Sequence, residues 1–136
     1  MRRYLTIALA LALWAAPYAA RAQLAVPPVV AGSASSSVVL KAAPGGLVSA
    51  YAECSAACWL MIFNATAAPT NGSTTAGVAS GNLQDCVAIP VGSNGSVNYA
   101  GGPYEQFTVG IVAVISSTTC ATLTLATTGF IHGMVQ

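Results

Sequence analysis

Four cysteines, three Asp or Glu residues and a single His carry most of the chemistry open to this chain. The carboxylates are Glu53, Asp85 and Glu105, and the histidine is His132, four residues from the C-terminus. A Ser-His-Asp relay could be written from His132, Asp85 and any of the many serines. No nucleophile elbow or other local signature supports one. Acid and base carboxylates for glycoside hydrolysis would require two of Glu53, Asp85 and Glu105 to face each other, and their spacing does not favour that. The glycines sit in turn contexts rather than in a phosphate-cradling loop. Catalytic residues, metal ligands and cofactor-binding residues are therefore expected to be none, with no cofactor.

Cys54, Cys58, Cys86 and Cys120 admit three disulfide connectivities. Cys54-Ser-Ala-Ala-Cys58 places two thiols at the ends of a short turn, within reach of a bridge if that turn is a three-residue hairpin. Cys86 and Cys120 are left to pair across a long loop. A four-thiolate zinc site is the rival, but zinc ribbons use two closely spaced pairs and only Cys54/Cys58 is close. The expected bridges are Cys54–Cys58 and Cys86–Cys120.

Aromatic side chains are the remaining candidates for recognition. Tyr51, Trp59, Tyr99 and Tyr104 could form a platform for sugar. Trp59 lies in an apolar run, which reads as core packing. Tyr99 and Tyr104 flank Ala-Gly-Gly-Pro, so this segment is the expected ligand loop. Asn64, Asn71 and Asn94 each begin an Asn-x-Ser/Thr triplet. In a chain this rich in Ser, Thr and Asn they serve as loop markers.

The elements that must position these residues follow a leader. Arg2 and Arg3, the apolar run from Leu5 to Ala16, and Ala20-Arg21-Ala22 have the three-part layout of a signal peptide. Cleavage is expected between Ala22 and Gln23. The run is shorter than the roughly 20 residues of a membrane span, so no span is expected after cleavage. The very apolar core favours the general export route over a twin-arginine one, and no cysteine at the cut invites lipidation. The destination is the periplasm or the exterior of a bacterium, where paired cysteines persist.

About 114 residues then remain, with Lys41 set against Glu53, Asp85 and Glu105 for a net charge of about −2. That length suits one domain. With no basic patch, the phosphate-neutralising term of nucleic-acid binding is missing. So few charges also oppose self-association only weakly. Self-association or a cell surface is one expectation from this, and an ordinary monomer wetted by hydroxyls is the equal alternative; the aromatic residues add a glycan as the other expected partner.

Residues 23–37, with Pro27-Pro28 and a Gly/Ser/Ala stretch, read as a flexible lead-in. From Val38 onward the signals are those of strands. Leu47 to Glu53 alternates, Cys58 to Phe63 is continuously apolar as a doubly covered strand would be, and Asp85 to Val91 carries Pro90 and so suits an edge or a strand end. Residues 65–82 form a long loop and 92–95 a turn. Val109 to Ile115 and Ala121 to Ala126 read as paired core strands about a turn at 116–119, with Gly129 to His132 as a final strand. The expectation is one all-β domain over 38–136, an antiparallel sandwich of jelly-roll or immunoglobulin-like type with roughly seven or eight strands.

Three stretches in order, LKAAPGGLVSAY, WLMIFNATAAPTNG and YAGGPYEQFTVGIVAVISSTTCATLTLATTGFIHG, resemble small β-sandwich proteins of tailed-phage and prophage genomes that are encoded near virion structural genes. The likeness spans about Leu40 to Gly133. It implies a non-catalytic structural or adhesive module with no active residues to carry over. The export signal and the Cys54/Cys58 pair depart from that pattern and point to a relative adapted to the periplasm or cell surface. The sequence thus leads to an exported, non-catalytic structural or surface-interaction module. A carbohydrate-binding or adhesin module and a small exported hydrolase are the alternatives.

Overall fold

The computed structural model describes residues 28–30, 36–73, 82–99, 104–126 and 129–136. Among these residues there are nine strands: β1 (Pro28–Val30), β2 (Ser37–Lys41), β3 (Gly45–Glu53), β4 (Cys58–Asn64), β5 (Leu83–Ile89), β6 (Asn94–Asn98), β7 (Glu105–Phe107), β8 (Ile111–Ser116) and β9 (Phe130–Val135). They form two antiparallel sheets, ordered β1-β9-β3-β6 and β2-β8-β4-β5. β7 pairs with the first residues of β3, and β6 pairs with the last ones, so the two run as one interrupted strand along the same edge. With β6 and β7 counted together, eight strands wind between two sheets in the order that defines a jelly roll. Of the two sandwich types expected, the topology selects this one.

The alternation of each strand follows from what covers it. Ala50 and Ala52 of β3, Leu60 and Ile62 of β4, Ile111, Ala113 and Ile115 of β8 and Ile131 and Val135 of β9 meet between the sheets in the main core. The outward set of the second sheet, Met61, Phe63, Val112 and Val114, is equally buried in a second cluster with Leu123. That explains why β4 and β8 read as unbroken apolar runs. Both of their faces are dry.

The cover on that outer face corrects the reading of 121–126 as a core strand paired with 109–115. β8 already has β2 on one side and β4 on the other, so no edge is free to receive another strand. Ser117 to Ala126 instead folds back as a strap over the second sheet, making one isolated bridge between Ser116 and Leu125. Ser117 N donates to Thr124 O and Ala126 N to Ile115 O. Ser116, fully buried, organises the turn, its Oγ accepting from Thr118 N (3.2 Å) and Thr124 N (3.0 Å). The other side of the strap is held by Leu123 N to Ser73 O, Gly72 N to Leu123 O and Leu125 N to Asn71 Oδ1.

The lead-in reading of 23–37 also needs correction. Pro28–Val30 pairs antiparallel with β9 as the edge of the first sheet. Proline lacks an N–H and is tolerated at the start of an edge strand, so a Pro-rich stretch can end in one. Ala22 and Gln23, the expected cleavage site, lie outside the described residues.

Both expected disulfides are present, Cys54–Cys58 and Cys86–Cys120. Cys54–Cys58 closes the short loop between β3 and β4. Cys86, in register with Met61 on the outward side of β5, ties the strap down through Cys120. Two disulfides fit an oxidising, extracytoplasmic compartment.

Candidate binding face

The residues with chemical potential fall into two places on different sheets. One is the edge of the sandwich where β5 approaches the β6/β7 edge. Tyr99 ends up there half-buried, packed against the main core, with its N–H donated to Val48 O and its phenol donated to Asp85 Oδ2 at 2.7 Å. The second oxygen of Asp85 accepts from Cys86 N. Burial, then the hydrogen bond and charge of Asp85 and the charge of Glu105, push the Tyr99 phenol well above the ordinary tyrosine range. Asp85 is in register with the buried Ile62, so it is an inward-pointing charge on an edge strand. Such a charge resists pairing with another chain, and Tyr99 satisfies it.

This placement corrects the reading of Tyr99 as part of an exposed ligand loop. Its ring and hydroxyl are committed to joining the two sheets. Tyr104 is also half-buried, and residues 100–103 between them lie outside the described residues. Trp59 is half-buried against the second cluster, as its apolar context implied.

The second place is the outer face of the first sheet. Its strands present polar and aromatic side chains in register across β9, β3 and β6. His132, Tyr51 and Ser96 make one row, Phe130, Glu53 and Asn94 the next, and Met134, Ser49 and Asn98 the third. Opposed Cβ atoms in such rows are about 5 Å apart, and rows two residues apart are separated by about 7 Å. Phe130 meets His132 edge-on with ring centroids 6.3 Å apart, and the Tyr51 hydroxyl donates to Glu53 Oε2 at 3.3 Å. Tyr51, Phe130 and His132 are half-buried, as Tyr99 and Tyr104 are, while Glu53, Ser96 and Asn94 are exposed.

The sequence carried a signal for this face. In FIHGMV the bulky Phe130, His132 and Met134 recur at every second position, opposite Ile131, Gly133 and Val135. In LVSAYAE, Tyr51 falls on the polar side of the alternation. An outward set this bulky is more than solvation requires. β9 is an interior strand of its sheet, between β1 and β3, which places His132 in this face although it lies only four residues from the C-terminus.

Glu53 and His132 therefore belong to the open face, and Asp85 and Glu105 to the β5–β6/β7 edge. A recess of about 90 Å³ beside the Cys54–Cys58 loop is lined by small side chains, with Ser117 and Ala126 across it. Among the described residues, no group of three or more His, Cys, Asp or Glu is placed to hold a metal ion, and no helix is long and apolar enough to cross a membrane. The fold is a disulfide-bonded jelly roll in which, among the described residues, the strap covers the outer face of the second sheet and no segment covers that of the first. Comparison with family models, curated proteins and solved structures returns no match.

Proposed function

We propose that the chain is an exported, non-catalytic jelly-roll module, phage-related in ancestry, that works by presenting the β9-β3-β6 face to a partner at the cell surface. One observation carries this reading, the asymmetry between the two outer faces. The chain covers the second sheet with its own strap, fastened by the Cys86–Cys120 bridge and buried apolar side chains. The described residues place no such strap on the first sheet, where the half-buried Tyr51, Phe130 and His132 stand among exposed hydroxyl, amide and carboxylate groups. Aromatic side chains with a polar surround are what interaction surfaces enrich.

Labelled mature protein incubated with bacterial envelopes tests the reading. The wild-type chain should be retained, and a Tyr51→Ala/His132→Ala variant should be released. Retention that depends on Tyr104 rather than Tyr51 would overturn the choice of face. A hydrolytic turnover abolished by Asp85→Asn or Glu105→Gln would overturn the non-catalytic reading. Virion genes beside the coding sequence are expected from the phage ancestry, and their absence would count against that part alone.

A further inference from the structure

We infer that the β9-β3-β6 face takes a neutral glycan, an inference that rests on this face being the interaction surface. Ring faces pack well against the C–H faces of sugars, and the face supplies Tyr51, Phe130 and His132 within two adjacent rows; the Phe130 and His132 planes stand at 82° to each other, so Tyr51 and one of that pair offer the stacking surface. Around them stand groups that exchange hydrogen bonds with sugar hydroxyls: the exposed carboxylate of Glu53, the carboxamide of Asn94 and the hydroxyl of Ser96. Three strands at about 4.8 Å spacing and three rows at about 7 Å make a platform of roughly 10 by 14 Å. That is room for a short run of linked rings lying flat.

Charge narrows the class. After Arg21 the chain has one Lys or Arg, Lys41, and it lies on β2 of the other sheet. The face itself carries Glu53 and no Lys or Arg, so a sulfated or phosphorylated polymer would meet repulsion without a compensating cation. An apolar protein helix is less well matched, because the bulky side chains are confined to β9 and Tyr51, and Ser49, Glu53, Asn94, Ser96 and Asn98 fill the rest of the rows. A polyhydroxylated, uncharged ligand fits both the rings and the hydrogen-bonding groups.

The test titrates mature protein calorimetrically with cellohexaose, maltohexaose and hexa-N-acetylchitohexaose, using dextran sulfate as the charged contrast. At least one neutral oligosaccharide should bind. Tyr51→Ala should weaken it at least tenfold, Tyr51→Phe less than twofold, and Tyr104→Ala not at all. Amide shifts of the unsubstituted protein, which need no variant to fold, should concentrate at Tyr51, Ser96 and His132. Silence to all three neutral sugars, preference for dextran sulfate, or shifts centred on Tyr104 would overturn the inference. If the sugars are silent while envelope retention still depends on Tyr51, the glycan falls and the interaction face stands. If retention also ignores Tyr51, both fall.

Discussion

Cutting the Cys86–Cys120 bridge tests the strap directly. The bridge spans a sequence separation of 34, against 4 for Cys54–Cys58. The chain-entropy relation assigns about 4 kcal/mol to the longer loop and about 2 kcal/mol to the shorter one. Cys86 and Cys120 are half-buried, so Cys86→Ala/Cys120→Ala adds little void cost. The variant should lose about 4 kcal/mol in urea denaturation, a fall in melting temperature on the order of 15 °C for a domain of this size. Cys54 and Cys58 are buried, and their removal adds a void of about 1 kcal/mol. The two midpoints will therefore lie closer than loop entropy alone suggests. Hydrogen exchange separates them. Leu123 N and Ala126 N are bonded to Ser73 O and Ile115 O, and they should lose protection in Cys86→Ala/Cys120→Ala well before the β4 and β8 amides do. In Cys54→Ala/Cys58→Ala they should follow global unfolding. A strap that keeps its protection without Cys86–Cys120, or a loss below about 1 kcal/mol, would refute the argument that this bridge fastens it.

Ser116→Ala removes a fully buried acceptor shared by two backbone N–H groups, and should cost about 2 kcal/mol by urea denaturation. Alkaline titration at 295 nm should show Tyr99 remaining protonated above pH 10 until the chain unfolds, and Tyr99→Phe should abolish that late component. The folded state holds this proton where the unfolded chain releases it near pH 10. The associated stability is therefore intact below about pH 10 and falls as pH rises toward the folded-state value. A Cβ at Gly110 would lie 2.6 Å from Ala65 O and 2.8 Å from Lys41 O, both backbone, whereas one at Gly133 would meet the movable Leu40 side chain. Gly110→Ala should thus cost about 3 kcal/mol and Gly133→Ala about 1 kcal/mol, and equal midpoints would count against the packing described.

Much of the sandwich was legible because strand periodicity is local. β3, β4, β5 and β8 each announce which faces are covered, and Pro90, read as a mark of an edge or a strand end, falls just past the end of the edge strand β5. The errors came where the answer depends on distant strands. Ala121 to Ala126 alternates like a strand, but its fate was decided by β2 and β4 having already filled both sides of β8. Pro28–Val30 looks like a spacer until β9 offers it an edge. The cysteine pairing was readable because one pair was local and the other followed by elimination. The tyrosines were harder. Tyr99 and Tyr104 sit in loop-like sequence, yet Tyr99 is drawn inward by Asp85 on another sheet. Tyr51 sits in a strand, and its neighbours on the open face come from β6 and β9.

Hydroxyl-radical footprinting of the chain from residue 23 onward, free and then bound to bacterial envelopes, addresses the central claim most directly. Tyr51, His132 and Met134 report on the open face, and the fully buried Met61 serves as the internal control. The account predicts that Tyr51, His132 and Met134 become protected together on binding while Tyr104 does not change. Protection at Tyr104 with Tyr51 and His132 unchanged would contradict it.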